Sequence, residues 1–249
     1  QAKPTPEAML YYQRAGVDTA LRAQKAEERP FNFADVVEAM PQGFTRIAEG
    51  ELRTSKDGKW VLASVQNGDG GEYWHFLLDT KSNKWSRFAD IPDKVIHATF
   101  GPDNKVYLLS IKDAPRGKIL RIDPAKADLA KADVLVPQGD VTIQGYAVTK
   151  SKLYTKDLVG GPSQVRIFDL KGKAQGTVPV PAVSSVRQIV PLGDDDLLFR
   201  NQSYTEPPAW YSFKAKAKTP VEKTVMAMTS SASFTDAEAV RETCTSKDG

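Results

Sequence analysis

Thr54-Ser55-Lys56-Asp57-Gly58-Lys59-Trp60-Val61-Leu62 decides the fold, because a polar turn runs straight into an apolar strand opening. Gly takes positive φ without a Cβ clash and Asp bonds nearby amides, so this composition builds a tight turn. The recipe returns three times, with strand openings at Lys59, Lys105, Lys152 and Asp196, spaced 46, 47 and 44 residues apart. The aligned apolar runs are Trp60-Val61-Leu62, Val106-Tyr107-Leu108, Leu153-Tyr154 and Leu197-Leu198-Phe199. A second marker keeps the same step, since Leu78-Asp79, Ile122-Asp123 and Phe168-Asp169 each close a later strand on aspartate. Short strands joined by Gly, Asn and Asp turns form antiparallel meanders, and a period of about 45 residues is that of propeller blades.

The expected architecture is all-β: a β-propeller of four-stranded antiparallel blades, four complete plus partial ones, in an incomplete or open ring. The blades fall at residues 47–92, 93–139, 140–183 and 184–232, after a partial blade and long loop at 1–46 and before a linker strand at 233–249. Met9–Ala15 reads as the third strand of an earlier blade, and Ala239–Thr243 as the first strand of a later one. Asp18–Glu28 has a helix-favouring composition, yet Pro30 and Pro41 bracket the region and the neighbouring elements are strands, which favours a solvated loop. Asp123–Asp133 reads as a helical turn inserted between two outer strands. Thr54–Gly58 recurs letter for letter as Thr245–Gly249, where the sequence stops. A terminus inside a hairpin turn leaves an edge strand unpaired, so the chain reads as a piece of a longer polypeptide.

Bulk properties narrow the function. The 249 residues are 41% hydrophobic and carry 34 basic and 31 acidic side chains, scattered rather than blocked, for a net charge of +3. No run of one sign exists to track a phosphate backbone or an anionic lipid surface, so neither nucleic acid nor membrane is an expected partner. No stretch approaches the ~18 apolar residues of a spanning helix. The single cysteine, Cys244, excludes an internal disulfide and a multi-cysteine metal site, and it suits cytoplasm and periplasm alike. Gln1–Pro6 lacks the basic and apolar regions of a signal peptide.

Several stretches, in order, resemble the propeller domain of the prolyl oligopeptidase family of serine peptidases. They are Met9-Leu10-Tyr11-Tyr12, Ser55–Leu62, Lys112-Asp113-Ala114-Pro115-Arg116-Gly117-Lys118-Ile119-Leu120-Arg121, Gly161–Phe168, and Ser203-Tyr204-Thr205-Glu206-Pro207-Pro208-Ala209-Trp210-Tyr211. The resemblance implies the later blades of a seven-bladed ring, followed after Gly249 by an α/β-hydrolase domain. It also implies a role: the propeller lies over the catalytic domain of the same polypeptide and admits short peptides while excluding folded proteins.

The chain itself lacks the means for hydrolysis. No G-x-S-x-G nucleophile turn occurs, and the only histidines, His75 and His97, sit inside expected strands, where a packed ring is the simpler reading. Two histidines 22 residues apart and one distant cysteine do not give zinc spacing. Asp194-Asp195-Asp196 and Asp69 lack EF-hand spacing and read as turn residues, and Gly68–Gly71 carries no G-K-[ST] phosphate-loop ending. No cofactor and no catalytic residue is expected, and the chain alone should be inactive.

Functional contacts, by the same resemblance, belong to the loops joining second to third strands: Gln66–Gly71, Ile111–Arg116, Leu158–Ser163 and Gln202–Pro207. The candidate substrate- or domain-facing residues are Gln66, Asp69, Lys112, Asp113, Arg116, Ser203, Thr205 and Glu206. Gln66 and Asp69 stand where relatives place an arginine and a cysteine, so that pair of contacts does not carry over. The alternative function is a free-standing propeller scaffold that holds a peptide or protein partner. Open blade edges predict self-association of the isolated chain.

Overall fold

Among the described residues, alternation of apolar and polar side chains between Asx and Gly turns gives sixteen strands, which the computed structural model arranges as four antiparallel sheets of four. The structure describes residue 44, residues 48–231, residue 234 and residues 236–247. Sheet 1 comprises β1 (Ala48–Thr54), β2 (Trp60–Asn67), β3 (Tyr73–Asp79) and β4 (Lys84–Ala89). Sheet 2 comprises β5 (Val95–Phe100), β6 (Val106–Ser110), β7 (Lys118–Ile122) and β8 (Asp133–Val136). Sheet 3 contains β9 (Thr142–Val148), β10 (Lys152–Leu158), β11 (Ser163–Asp169) and β12 (Ala174–Val178). Sheet 4 contains β13 (Ser185–Pro191), β14 (Leu197–Gln202), β15 (Ala209–Phe213) and β16 (Val221–Ala227).

Strands pair in chain order within each sheet, so every sheet is a meander. The four repeats read from the period are therefore four four-stranded sheets, and the fold is that of propeller blades. The insertion at Asp123–Asp133 forms two 3-10 turns, Pro124–Lys126 and Leu129–Lys131, each capped by an aspartate side chain, Asp123 and Asp128. Met9–Ala15 and Asp18–Glu28 lie outside the described residues. Ala239–Thr243, expected as a strand, takes no regular structure, because among the described residues no strand lies beside it to complete a ladder.

The chain divides into two compact units, one ending at residue 138 and one starting at 139. In the first unit, Leu62 and Leu77 of sheet 1 pack with Val95, Ala98, Val106, Leu108 and Leu120 of sheet 2. The outer face of sheet 1 gathers Val65, Phe76, Trp74 and Trp85 around Phe44. In the second unit, Tyr154 and Val165 of sheet 3 meet Leu197, Phe199, Tyr211 and Phe213 of sheet 4. Each such Leu or Phe removed from water contributes roughly 1.5–3 kcal/mol, so the sheet-to-sheet faces are the main apolar stores of the fold.

The turns joining first to second strands touch within each unit. Asp57 donates its main-chain N–H to Asn104 Oδ1 at 3.1 Å in the first. In the second, Asp195 accepts from Ser151 N at 2.7 Å, Ser151 Oγ at 2.6 Å and Thr149 Oγ1 at 2.9 Å. Gly101 opens the turn before Asn104 because any Cβ there would lie 2.5 Å from the Tyr107 ring, whose hydroxyl donates to Asp103 at 3.0 Å.

Candidate functional site

The ends opposite those turns carry the second-to-third-strand loops. In the first unit, Gln66, next to last in β2, accepts from the Tyr73 hydroxyl at 3.0 Å, while Asp69 is exposed on a 3-10 turn at Gly68–Gly70. Lys112 is drawn to the connection between sheets rather than to its own loop, pairing with Asp93 at 2.9 Å. The hydrogen bond to Asp93 raises the ammonium pKa. Burial pushes the Asp93 carboxyl up, but the Asp90 N–H and Lys112 outweigh it and hold the group below the usual range. Asp113 is exposed with φ +52°, and the Arg116 main-chain N–H donates to Gln138 Oε1 at 2.7 Å.

In the second unit, Ser203, Thr205 and Glu206 come together as one turn. Ser203 Oγ accepts the amides of Thr205 at 3.2 Å and Glu206 at 2.9 Å, and Ser203 N donates to Glu206 O at 3.1 Å. Glu206 in turn accepts from Tyr211 at 3.4 Å and Lys223 at 3.3 Å. Ser203 and Thr205 thus spend their hydroxyls on loop shape, leaving Tyr204, 90% exposed, as the tip. Ser163 N donates to Ser184 O at 2.9 Å, and Ser185 pairs with Gln202, so the 158–163 and 202–207 loops share one end of this unit. Met228 reaches the same end, its N–H donating to Pro208 O at 2.9 Å, and is 60% exposed. The coil beyond it crosses the other loop, for a Cβ on Gly160 would meet Arg241 Nη2 at 2.7 Å.

One contact has the outline of catalytic machinery. Ser64 Oγ lies 2.9 Å from His75 Nδ1 and His75 Nε2 lies 3.0 Å from Val95 O. A carbonyl only accepts, so Nε2 carries the proton and Nδ1 accepts from the Ser64 hydroxyl. The arrangement cannot act on a substrate, because His75 is fully buried and its second nitrogen meets a main-chain oxygen in place of an orienting carboxylate. Burial drives its pKa down to about 4 against the opposing pull of Val95 O. The half-buried His97 is likewise lowered to about 4, chiefly by burial and then by Arg53. Both rings are packed histidines, as their strand positions suggested.

The meander register, the sheet pairs and the loop ends all describe a propeller domain, and the family model for "Prolyl oligopeptidase, N-terminal beta-propeller domain" matches residues 42–224. The chain belongs to the prolyl oligopeptidase propeller family. Among solved structures it is similar to one from a study of two prolyl endopeptidases and the role of inter-domain dynamics in catalysis and specificity. That match has 23% identity and a TM-score of 0.61, covering 71% of this chain and 26% of that one. It is also similar to prolyl oligopeptidase B from Galerina marginata bound to a 35mer substrate, at 11% identity and a TM-score of 0.60, covering 73% and 26%. Oligopeptidase B from Trypanosoma brucei with covalently bound antipain gives 18% identity and a TM-score of 0.56, covering 71% and 27%. At these identities the likeness is one of fold. The prolyl oligopeptidase propeller described here spans about a quarter of the length of those structures. No curated protein matches the chain.

Sequence reasoning missed the Ser64–His75 contact, although both residues were legible as members of paired strands. A register argument finds it: Trp60 opposite Asp79 places Ser64 opposite His75.

Proposed function

We propose that this chain is the non-catalytic gate of a prolyl-oligopeptidase-like serine peptidase. It packs against a hydrolase domain outside these 249 residues and restricts access to short peptides. The observation that carries this reading is the loop end of the second unit, where Tyr204 and Met228 stand in water beside Pro208. Large apolar side chains grouped on an exposed end mark a surface meant to be covered. Both ends carry charged pairs, Glu206 with Lys223 at 3.3 Å here and Lys150 with Asp194 and Lys214 with Asp196 at 3.1 Å opposite, so it is Tyr204 and Met228 that set this end apart. The loops holding Gln66, Asp69, Lys112, Asp113 and Arg116 are assigned the same outward role in the first unit.

Gating of this kind is steric and uses no chemistry of the propeller's own. The purified chain should leave proline-containing chromogenic peptides intact. A polypeptide extended through the gene beyond Gly249 should cleave them and lose activity to a serine-directed inhibitor. Tyr204→Ser combined with Met228→Ser should weaken inter-domain packing and let longer polypeptides be cut. Turnover by the 249-residue chain alone, or a stop codon directly after Gly249, overturns the reading; the stop codon would favour a peptide-holding scaffold.

A further inference from the structure

In the second unit Lys156 and Arg187 lie on neighbouring sheets, and among the described residues neither is paired with an acid. Lys156 of β10 donates from Nζ to the main-chain oxygen of Arg187 in β13 at 3.1 Å. Burial, and then the charge of Arg187, lower the lysine's pKa. The carboxylate next in sequence does not serve it, since Asp157 is fully buried and bound by Arg166 through Nε at 2.6 Å and Nη2 at 3.1 Å.

Two β-bulges create this meeting. Val186 pairs with Asn201 and Gln188 with Arg200, which leaves Arg187 extruded from the ladder. On the neighbouring first strand, Gly145 faces Lys156 and Ile143 faces Asp157, extruding Gln144. A bulge turns a side chain out of its regular alternation and frees main-chain groups, and here the freed Arg187 carbonyl receives the Lys156 ammonium. Gly145 leaves room for the lysine stem, since a Cβ there would sit 3.7 Å from Lys156 Cε. The strands β9 and β13 are in contact, and Gln144 and Gln188, at or next to the bulged positions, are both exposed.

Two cationic side chains that start from adjoining positions, with no acidic partner among the described residues, give this surface a positive field suited to an anion. A guanidinium supplies a planar fork for two carboxylate oxygens, an ammonium adds a point charge, and side-chain amides can bond the adjoining peptide unit. We propose that Lys156 and Arg187 form a carboxylate site that takes the free C-terminal α-carboxylate of a short peptide. The choice of a peptide as carrier rests on the gating role above; the cation pair itself does not.

The test uses the isotope-labelled chain and the tetrapeptide Ala-Ala-Pro-Ala as its free acid and as its C-terminal amide, with inorganic phosphate as a third probe. The free acid should shift the amide signals of residues 143–145, 156–157 and 186–188 and bind at least tenfold more tightly than the amide. Lys156→Met and Arg187→Gln should each remove most of that preference, and neither should lower Tm. Arg187→Lys should retain part of it. Equal binding of acid and amide, or a preference that survives both substitutions, overturns the site. Phosphate binding as tightly as the free acid overturns the peptide assignment. If the acid binds here while the hydrolase-extended protein cuts long and short substrates alike, the gating role falls and the carboxylate site stands.

Discussion

The first and second units join their sheets by different chemistry. In the first, the turn ends share one exposed bond, Asp57 N to Asn104 Oδ1, and the strong polar contact lies elsewhere: neutral, buried His75 bridging Ser64 and Val95 O. In the second, the turn ends are clasped by an ionised side chain, Asp195, which takes three hydrogen bonds while the Tyr154 hydroxyl bonds its main-chain oxygen at 2.6 Å. One joint depends on a ring staying uncharged and the other on a carboxyl staying charged. Acid should therefore reach them in different pH windows.

The harshest way to break the comparison is His75→Ala. It deletes a fully buried ring and leaves Ser64 Oγ and Val95 O without their partner, a loss of about 4 kcal/mol. Chemical denaturation followed by site-resolved hydrogen exchange should show β3 and β5 losing protection while β13–β15 keep theirs. Uniform loss across both units would mean that the joints are not separate.

Next in size is the response to acid. The folded pKa of His75, about 4, lies below its ordinary 6.5, so the unfolded chain takes up a proton first as pH falls. Its contribution is complete above pH 6.5 and drains away between 6.5 and 4, a total of roughly 3 kcal/mol. Asp195 behaves otherwise: burial raises its pKa, but the bonds from Ser151 and Thr149 prevail and hold it below the ordinary 3.8. That contribution is intact above pH 3.8 and is lost below it. Exchange at pH 7 and pH 5, corrected for intrinsic rates, should weaken the first unit selectively. In His75→Ala the selectivity should shrink.

Asp195→Ala sharpens the other side. Three donors lose a charged acceptor, but Ser151, which supplies two of them, is exposed and water replaces some of what is lost, so the cost is about 2 kcal/mol. Thermal unfolding near neutral pH should show the drop, with sheets 3 and 4 exchanging faster and the first unit unchanged.

The contrast between the joints also shows what a linear reading can reach. The period, the turn chemistry and the packed state of both histidines were legible, because strand pairing is local and a histidine amid Trp74 and Phe76 has an apolar setting. Candidate loop residues were harder. Ser203 and Thr205 look like binding hydroxyls in a string of letters, and only the fold shows them closing their own turn. Arg187 and Gln144 drew no attention, since a bulge is a mismatch between two strands and neither strand alone encodes it. Ala239–Thr243 has strand composition without a partner strand among the described residues, and composition does not supply a ladder.

The smallest expected effect tests the weak clasp. Asn104 accepts the Asp57 amide at 3.1 Å on an exposed turn, where water competes for both groups. Asn104 also holds φ at +60°, a region that asparagine tolerates better than alanine does. Asn104→Ala removes the bond and adds strain, whereas Asn104→Gly removes the bond and relieves strain. The bond itself is a neutral one worth about 0.5–1 kcal/mol. The alanine variant should therefore lose about 1–2 kcal/mol, and the glycine variant less than 1 kcal/mol. If the glycine variant instead loses as much as Asp195→Ala, the turn-end bond matters equally in both units, and the division of labour between a neutral and an ionic joint is wrong.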